Sequence, residues 1–263
     1  MNIFKRFWKS LYSPPDIAKF RKGKISQSIV YIIVLSFVAF LPLAYFTTVS
    51  SNDALKVGKE TIEKEIPDFT VKNGKLEATN KKDDLPVTID EGSLHLFFDP
   101  SGTLDADDVD NKIGPYDGAV ALLSDSIYIT AGGYSQTVSY QTAGISSKAD
   151  LVSTYQTIED LSRYFIPLIL FVLFLFTLGA AFFRIAIYGL FGYILTGFGR
   201  GGVSYRENWM MATYSITLAV TFTMIMEWLQ VAVPFGMEIN MVVSMIVLFL
   251  AIRTIQPPKQ AAS

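Results

Sequence analysis

An acidic side chain inside an apolar stretch is the first feature of this chain that could do chemistry. Glu227 lies near one end of the long apolar run 209–231, and ionisable groups at membrane depth are costly and usually functional. At that depth Glu227 can reach Arg163, which caps the preceding apolar run, so the expectation is an Arg163–Glu227 ion pair joining two helices. A proton or ion relay needs several such groups, and only Arg184, Asn240 and Gln230 are on hand, which keeps a carrier or an intramembrane enzyme below the ion pair in rank. Asp105, Asp107, Asp108 and Asp110 cluster after a turn, but position twelve counted from Asp108 is Ala119 rather than a glutamate, so the calcium-loop spacing fails. His95 stands alone on an alternating run and reads as a surface or satisfied histidine. Tyr116, Tyr128, Tyr134 and Tyr140 could stack on sugar rings, although tyrosines in strands are ordinarily structural.

The chemistry that composition excludes is wider. There is no cysteine and one histidine, so neither a disulfide framework, a thiol nucleophile nor a multi-histidine metal centre can form. The nucleophile-elbow, serine-lysine, zinc-protease and phosphate-loop motifs are missing as well. No catalytic residue, cofactor or metal is expected, and the chain reads as a non-enzyme. It is 51% apolar and 17% charged, too greasy for an ordinary soluble domain. Its 22 basic and 24 acidic residues nearly cancel, but they are unevenly placed.

The elements that must position these residues follow from that placement. Residues 25–49 contain no charged side chain, and a helix of about 22 of them crosses a hydrocarbon core of roughly 30 Å. A cleaved signal is disfavoured, because the apolar run and the head before it are both too long. That head, 1–24, holds Lys5, Arg6, Lys9, Lys19, Arg21, Lys22 and Lys24 against Asp16, which places the N-terminus in the cytoplasm. Phe4, Phe7 and Trp8, with Ile3, Leu11 and Tyr12, recur at helical spacing between Lys5, Arg6 and Lys9. This pattern predicts an interfacial helix on anionic lipid, ended by Ser13-Pro14-Pro15.

Residues 50–160 carry 20 acidic residues, nine lysines and no arginine, so they form a polar module outside the lipid. After a helical start over 53–65 the period becomes two. Asn73-Gly74 between alternating runs predicts a hairpin, and strands are expected at 85–89, 93–98, 119–123, 126–130 and 137–142. Residues 164–199 are apolar apart from Arg184. That run either crosses once, leaving Arg184 near the cytoplasmic side, or breaks near Gly189 and Gly192 and crosses twice, which would put Arg200 and Arg206 outside against the charge bias. The single crossing is preferred.

The predicted order is therefore a basic head 1–24, a first span 25–49, an extracytoplasmic β-rich module 50–160, a second span with a cytoplasmic extension 161–199, a cytoplasmic turn 200–208, a third span 209–231, an outer turn 232–238, a fourth span 239–255 and a cytoplasmic tail 256–263. The fold class is an integral membrane bundle of four helices, both termini inside, with an inserted α+β module. Ser215, Ala219 and Thr223, and Thr213, Thr217 and Thr221, make small-residue stripes on the third span that suit close helix packing.

The head FKRFWKSLYSPPDIAKFRKGK, the strand LHLFFDPSG and the tail from Tyr164 onward resemble a family of Gram-positive bacterial membrane proteins of unknown function (DUF1189), some of which carry a maltodextrin-utilisation label. The run Ser10 to Pro14, followed by Asp16-Ile17-Ala18-Lys19-Phe20-Arg21, carries most of the likeness. Gly201-Gly202, Ser204-Tyr205 and Ala212-Thr213-Tyr214 are more remotely similar to Yip-type membrane proteins, whose usual proline after the turn has no counterpart in Met211 to Met226. The resemblance implies a bacterial cell-membrane setting without an established activity, and its label implies a sugar-transport operon. Partners expected are the bilayer and a membrane or envelope protein, with a sugar permease or a second copy of the chain as further candidates. No nucleic acid is expected.

Overall fold

A computed structural model describes residues 2–80, 82, 85–91, 94–113, 118–197 and 203–255. Tyr116, Arg200, Gly201-Gly202 and the tail 256–263 lie outside the described residues. Four helical segments are long and apolar enough to cross a membrane, and a β-sheet region falls between the first and second of them. The chain is a multi-pass membrane protein. It divides into two compact units, Met1–Thr47 with Pro167–Ser263 (the membrane unit) and Thr48–Ile166 (the sheet unit).

The head folds as two helices, α1 (Ile3–Tyr12) and α2 (Pro14–Phe20). Ser13 separates them, and proline in the first turn of α2 sits where a missing N–H does no harm. The first span is part of a 40-residue helix, α3 (Ile25–Lys64), so the helix expected over 53–65 is present as the continuation of the span. The second span lies in the 50-residue α6 (Lys148–Gly197). It runs unbroken through Gly189 and Gly192, in line with a single crossing.

Those two glycines have another task. A Cβ on Gly189 would lie 3.2 Å from Trp209 Cα and 3.3 Å from its backbone nitrogen, and one on Gly192 would lie 2.8 Å from Asn208 Oδ1. They let α6 approach α7 (Tyr205–Ser215) at backbone distance, as small residues do in membrane bundles. Because the obstacle at Gly189 is backbone, Gly189→Val should force the helices apart and cost about 1–3 kcal/mol, read as a lowered melting temperature of the purified chain. The equivalent change at Gly197, which has open space around it, should leave melting nearly unmoved.

The third span is α7 followed by α8 (Thr217–Trp228), with a break at Ile216, and the fourth is α9 (Gly236–Arg253). Ser204 and Glu207 close a reciprocal capping box at the start of α7. Ser215 and Ala219 are buried inside the membrane unit, and Thr223 accepts a hydrogen bond from Asn240 Nδ2 of α9 at 3.2 Å. The small-residue stripe thus packs within the chain.

In the sheet unit Asn73 (φ 52°) and Gly74 (φ 80°) form the turn between β1 (Phe69–Lys72) and β2 (Lys75–Ala78). A second sheet has the order β3-β4-β5-β6-β7, comprising Val87–Glu91, Leu94–Phe98, Gly118–Leu122, Ser126–Ala131 and Tyr134–Ser139. All neighbours are antiparallel except β4 and β5, which are parallel and joined through the short helix α4 (Ala106–Lys112). The last strand ends earlier than the expected 137–142. Ser139 accepts from the Thr142 N–H and caps a four-residue helix, α5 (Tyr140–Ala143). The period of two places Phe98, Leu122 and Ile127 in one core with Ile62, Ile66 and Tyr140, and Phe97, Ala119, Ala121 and Tyr128 in another with Val109 of α4.

Candidate functional site

Within the sheet unit, the outer part of α3, the start of α6 and one face of the five-stranded sheet leave a half-enclosed cavity of about 400 Å³. Helix α3 contributes Leu55, Gly58 and Ile62, the sheet Leu96, Val120, Ile127 and Val138, and α6 Leu151, Tyr155 and Ile158. Thr154 and Tyr155 are the polar side chains of the lining. The Tyr155 hydroxyl already donates to the Leu55 carbonyl at 2.9 Å, and burial raises its pKa, so the phenol stays neutral. Gly58 is what admits it: a Cβ there would collide with the Tyr155 hydroxyl. At the margin Lys59 pairs with Glu159 at 2.8 Å, an additional tie between α3 and α6 within this unit.

Magnitude decides how to regard this space. The space is open to one side rather than sealed, and about 400 Å³ falls within the range of small-ligand pockets. A space this large, walled by aliphatic side chains, is therefore suited to a ligand.

The tyrosines considered for sugar stacking do not line up. Tyr140 is buried and donates to the Leu123 carbonyl at 2.6 Å, and Tyr128 donates to Asp110 at 2.7 Å. Tyr134 is exposed at the start of β7. The acidic cluster likewise serves the fold: Asp105 and Asp108 form the capping box of α4, and Asp110 receives Tyr128. Among the described residues no group of acidic or histidine side chains is gathered as a metal site. His95 Nδ1 lies 2.6 Å from Asp90 Oδ1 across β3 and β4.

The membrane unit holds two polar clusters. Arg184 donates from Nη1 to Asn240 Oδ1 at 3.2 Å, and Asn240 donates in turn to Thr223. Arg184 lies 13 residues, about 20 Å, before the end of α6 and is held between helices by this amide. Asn240 and Thr223 border a second apolar cavity of about 300 Å³. Arg163 belongs to the sheet unit and Glu227 to the membrane unit, the latter in the last turn of α8.

The second cluster corrects the reading of the head. Phe4 and Trp8 are exposed, as a lipid-facing stripe would be, and Lys5 is exposed beside them. Arg6, however, is 9% exposed. Its guanidinium donates to Tyr214 Oη and Gln27 Oε1, each at 2.6 Å, and lies 5.5 Å from the Phe20 ring and 5.7 Å from the Tyr214 ring. Phe7 packs on the same core. The physical reason is helical phase. Ile3, Arg6, Phe7 and Ser10 share one face at i, i+3, i+4 and i+7, while Phe4, Trp8 and Tyr12 share another. Tyr214 and Thr217 flank the break at Ile216, and Tyr31 bonds Thr217 at 2.7 Å, so the docked head ends on the kink of the third span.

Lys9 is also internally engaged, 2.9 Å from Asp16. The bond from Lys9 holds the Asp16 carboxyl below its ordinary pKa, with Ser13 and Lys19 assisting. A carboxyl with a lowered folded pKa contributes stability above its unfolded value that is lost as pH falls through the folded value. Acidification below the usual carboxylate range should therefore loosen the α1–α2 corner, and Asp16→Asn should flatten that limb of a melting-temperature profile against pH.

Comparison with known families matches residues 4–252, nearly the whole chain, to the family described as protein of unknown function (DUF1189), and the chain belongs to that family. No curated protein and no solved structure matches it.

Proposed function

We propose that this DUF1189 protein is a non-enzymatic membrane protein whose sheet unit faces the exterior and binds a ligand, acting as a sensor or as an accessory subunit to another membrane or envelope protein. The observation that carries this is the 400 Å³ cavity between α3, α6 and the sheet. Its walls offer space and apolar surface without a nucleophile or an acid–base pair, which is binding chemistry rather than catalysis. Support for the orientation comes from the basic head and from the acidic, arginine-free segment 50–160. Both helices that wall the cavity, α3 and α6, continue into the membrane unit, so occupancy has a covalent route to the spans.

The test is native mass spectrometry of the full chain, taken from its own membranes into nanodiscs. Bound small-molecule mass should accompany the wild type and disappear from Ala143→Phe, which puts a large side chain into the cavity that Ala143 of α5 helps to line. Finding each chain at its own bare mass, with nothing bound to either, would reject the reading. Recovery of sugar permease subunits in the same preparation would instead support a role beside a sugar transporter.

A further inference from the structure

Resting on that reading, we infer that the cavity of the sheet unit takes the acyl chain of a lipid-like amphiphile. A sugar or peptide brings hydroxyl, amide or carbonyl groups that must each find a partner when buried. The lining offers Thr154 and Tyr155, and the Tyr155 hydroxyl is already committed to Leu55. An alkyl chain asks for no hydrogen bond and gains from every methylene it hides.

Size agrees, since about 400 Å³ is at the lower end of small-ligand pockets and suits one chain rather than a whole two-chain lipid. The position along the helix supplies the source. Leu55 lies three residues, about 4.5 Å along α3, beyond Asn52, where the charge-free stretch ends. An amphiphile at the end of that span has the cavity within the reach of its own tail. The aromatic side chains that might have offered a sugar platform, Tyr128 and Tyr140, are bonded into the sheet unit's cores.

The experiment uses the full chain in phosphatidylcholine nanodiscs with two photoreactive probes, a diazirine-bearing palmitate and a phosphatidylglycerol carrying the same diazirine on one chain. Crosslinked peptides are mapped by mass spectrometry. The expected result is labelling at Leu55, Ile62, Leu151 and Tyr155, reduced about tenfold by excess unlabelled palmitate or by Ala143→Phe. Whichever probe labels these positions more strongly identifies a free fatty acid or a membrane lipid as the source of the chain. Labelling confined to 25–49 and 164–197 overturns the acyl-chain assignment. If, in that case, native mass spectrometry still shows a ligand lost on Ala143→Phe, the ligand-binding reading survives and only the class is wrong. Displacement of the probe from the cavity by maltotriose, but not by palmitate, likewise overturns the class. Because the wild type alone yields the map, misfolding of the filled variant cannot hide the answer.

Discussion

Arg6→Ala will lower the stability of the membrane unit by about 4 kcal/mol, although the residue sits in a head that looks like a simple basic leader. Two hydrogen bonds from a charged group contribute at least about 1.5 kcal/mol each, and two cation–π contacts away from water add about 0.5–1 kcal/mol each. The variant also leaves the Tyr214 hydroxyl beside the kink at Ile216 without its donor. Thermal unfolding in detergent should show the loss, and residues 1–24 should become susceptible to protease. Arg6→Lys separates this account from a surface role. A lysine keeps the charge but cannot span Tyr214 and Gln27 with one planar fork, so it should recover less than half of the loss. A residue that merely met anionic lipid would be fully replaced. Lys5→Ala, on the exposed face, should stay within about 0.5 kcal/mol of the wild type.

Asp99→Ala should cost the sheet unit about 3 kcal/mol. Asp99 is 0% exposed and stands just after β4, where the chain must leave the sheet to make its crossover to the parallel β5. Its Oδ1 accepts from the Ser101 N–H at 3.0 Å and the Ser101 hydroxyl at 2.5 Å, and its Oδ2 from the Leu104 N–H at 2.6 Å. These bonds converge on one buried carboxyl, and without it the Ser101 and Leu104 N–H groups lose the partner that holds the corner. Asp99→Asn keeps one acceptor and should fall between, near 1.5 kcal/mol. Chemical unfolding of the full chain, followed by a probe placed in the sheet unit, measures both.

The spans, the hairpin and most of the strands were legible because each is a local pattern. A charge-free run, an Asn-Gly pair and a period of two are written in neighbouring residues. The inward turn of Arg6 was also written locally, in the i, i+3, i+4, i+7 spacing of Ile3, Arg6, Phe7 and Ser10, but the basic charges of the head drew attention to the lipid surface. Asp99 was hidden differently. In Asp-Pro-Ser-Gly it reads as ordinary turn chemistry, and only the fold shows that the Asp99 side chain is buried.

Arg184 and Asn240 lie 56 residues apart, and no local rule joins them. Packing draws the Arg184 guanidinium to an amide on another helix. The cavity was least visible of all. Every aliphatic side chain that lines it looks like core, and a shortage of volume among α3, α6 and four strands has no sequence signature.

The account depends on which side of the membrane the sheet unit occupies, and the absence of native cysteine makes that directly measurable. Tyr134 is 85% exposed at the start of β7, so a Tyr134→Cys variant on intact cells should react with a membrane-impermeant thiol reagent, while Gly202→Cys should react only after permeabilisation. Reaction at Gly202 with silence at Tyr134 on intact cells would turn the sheet unit to the cytoplasm and contradict an exterior ligand-binding role.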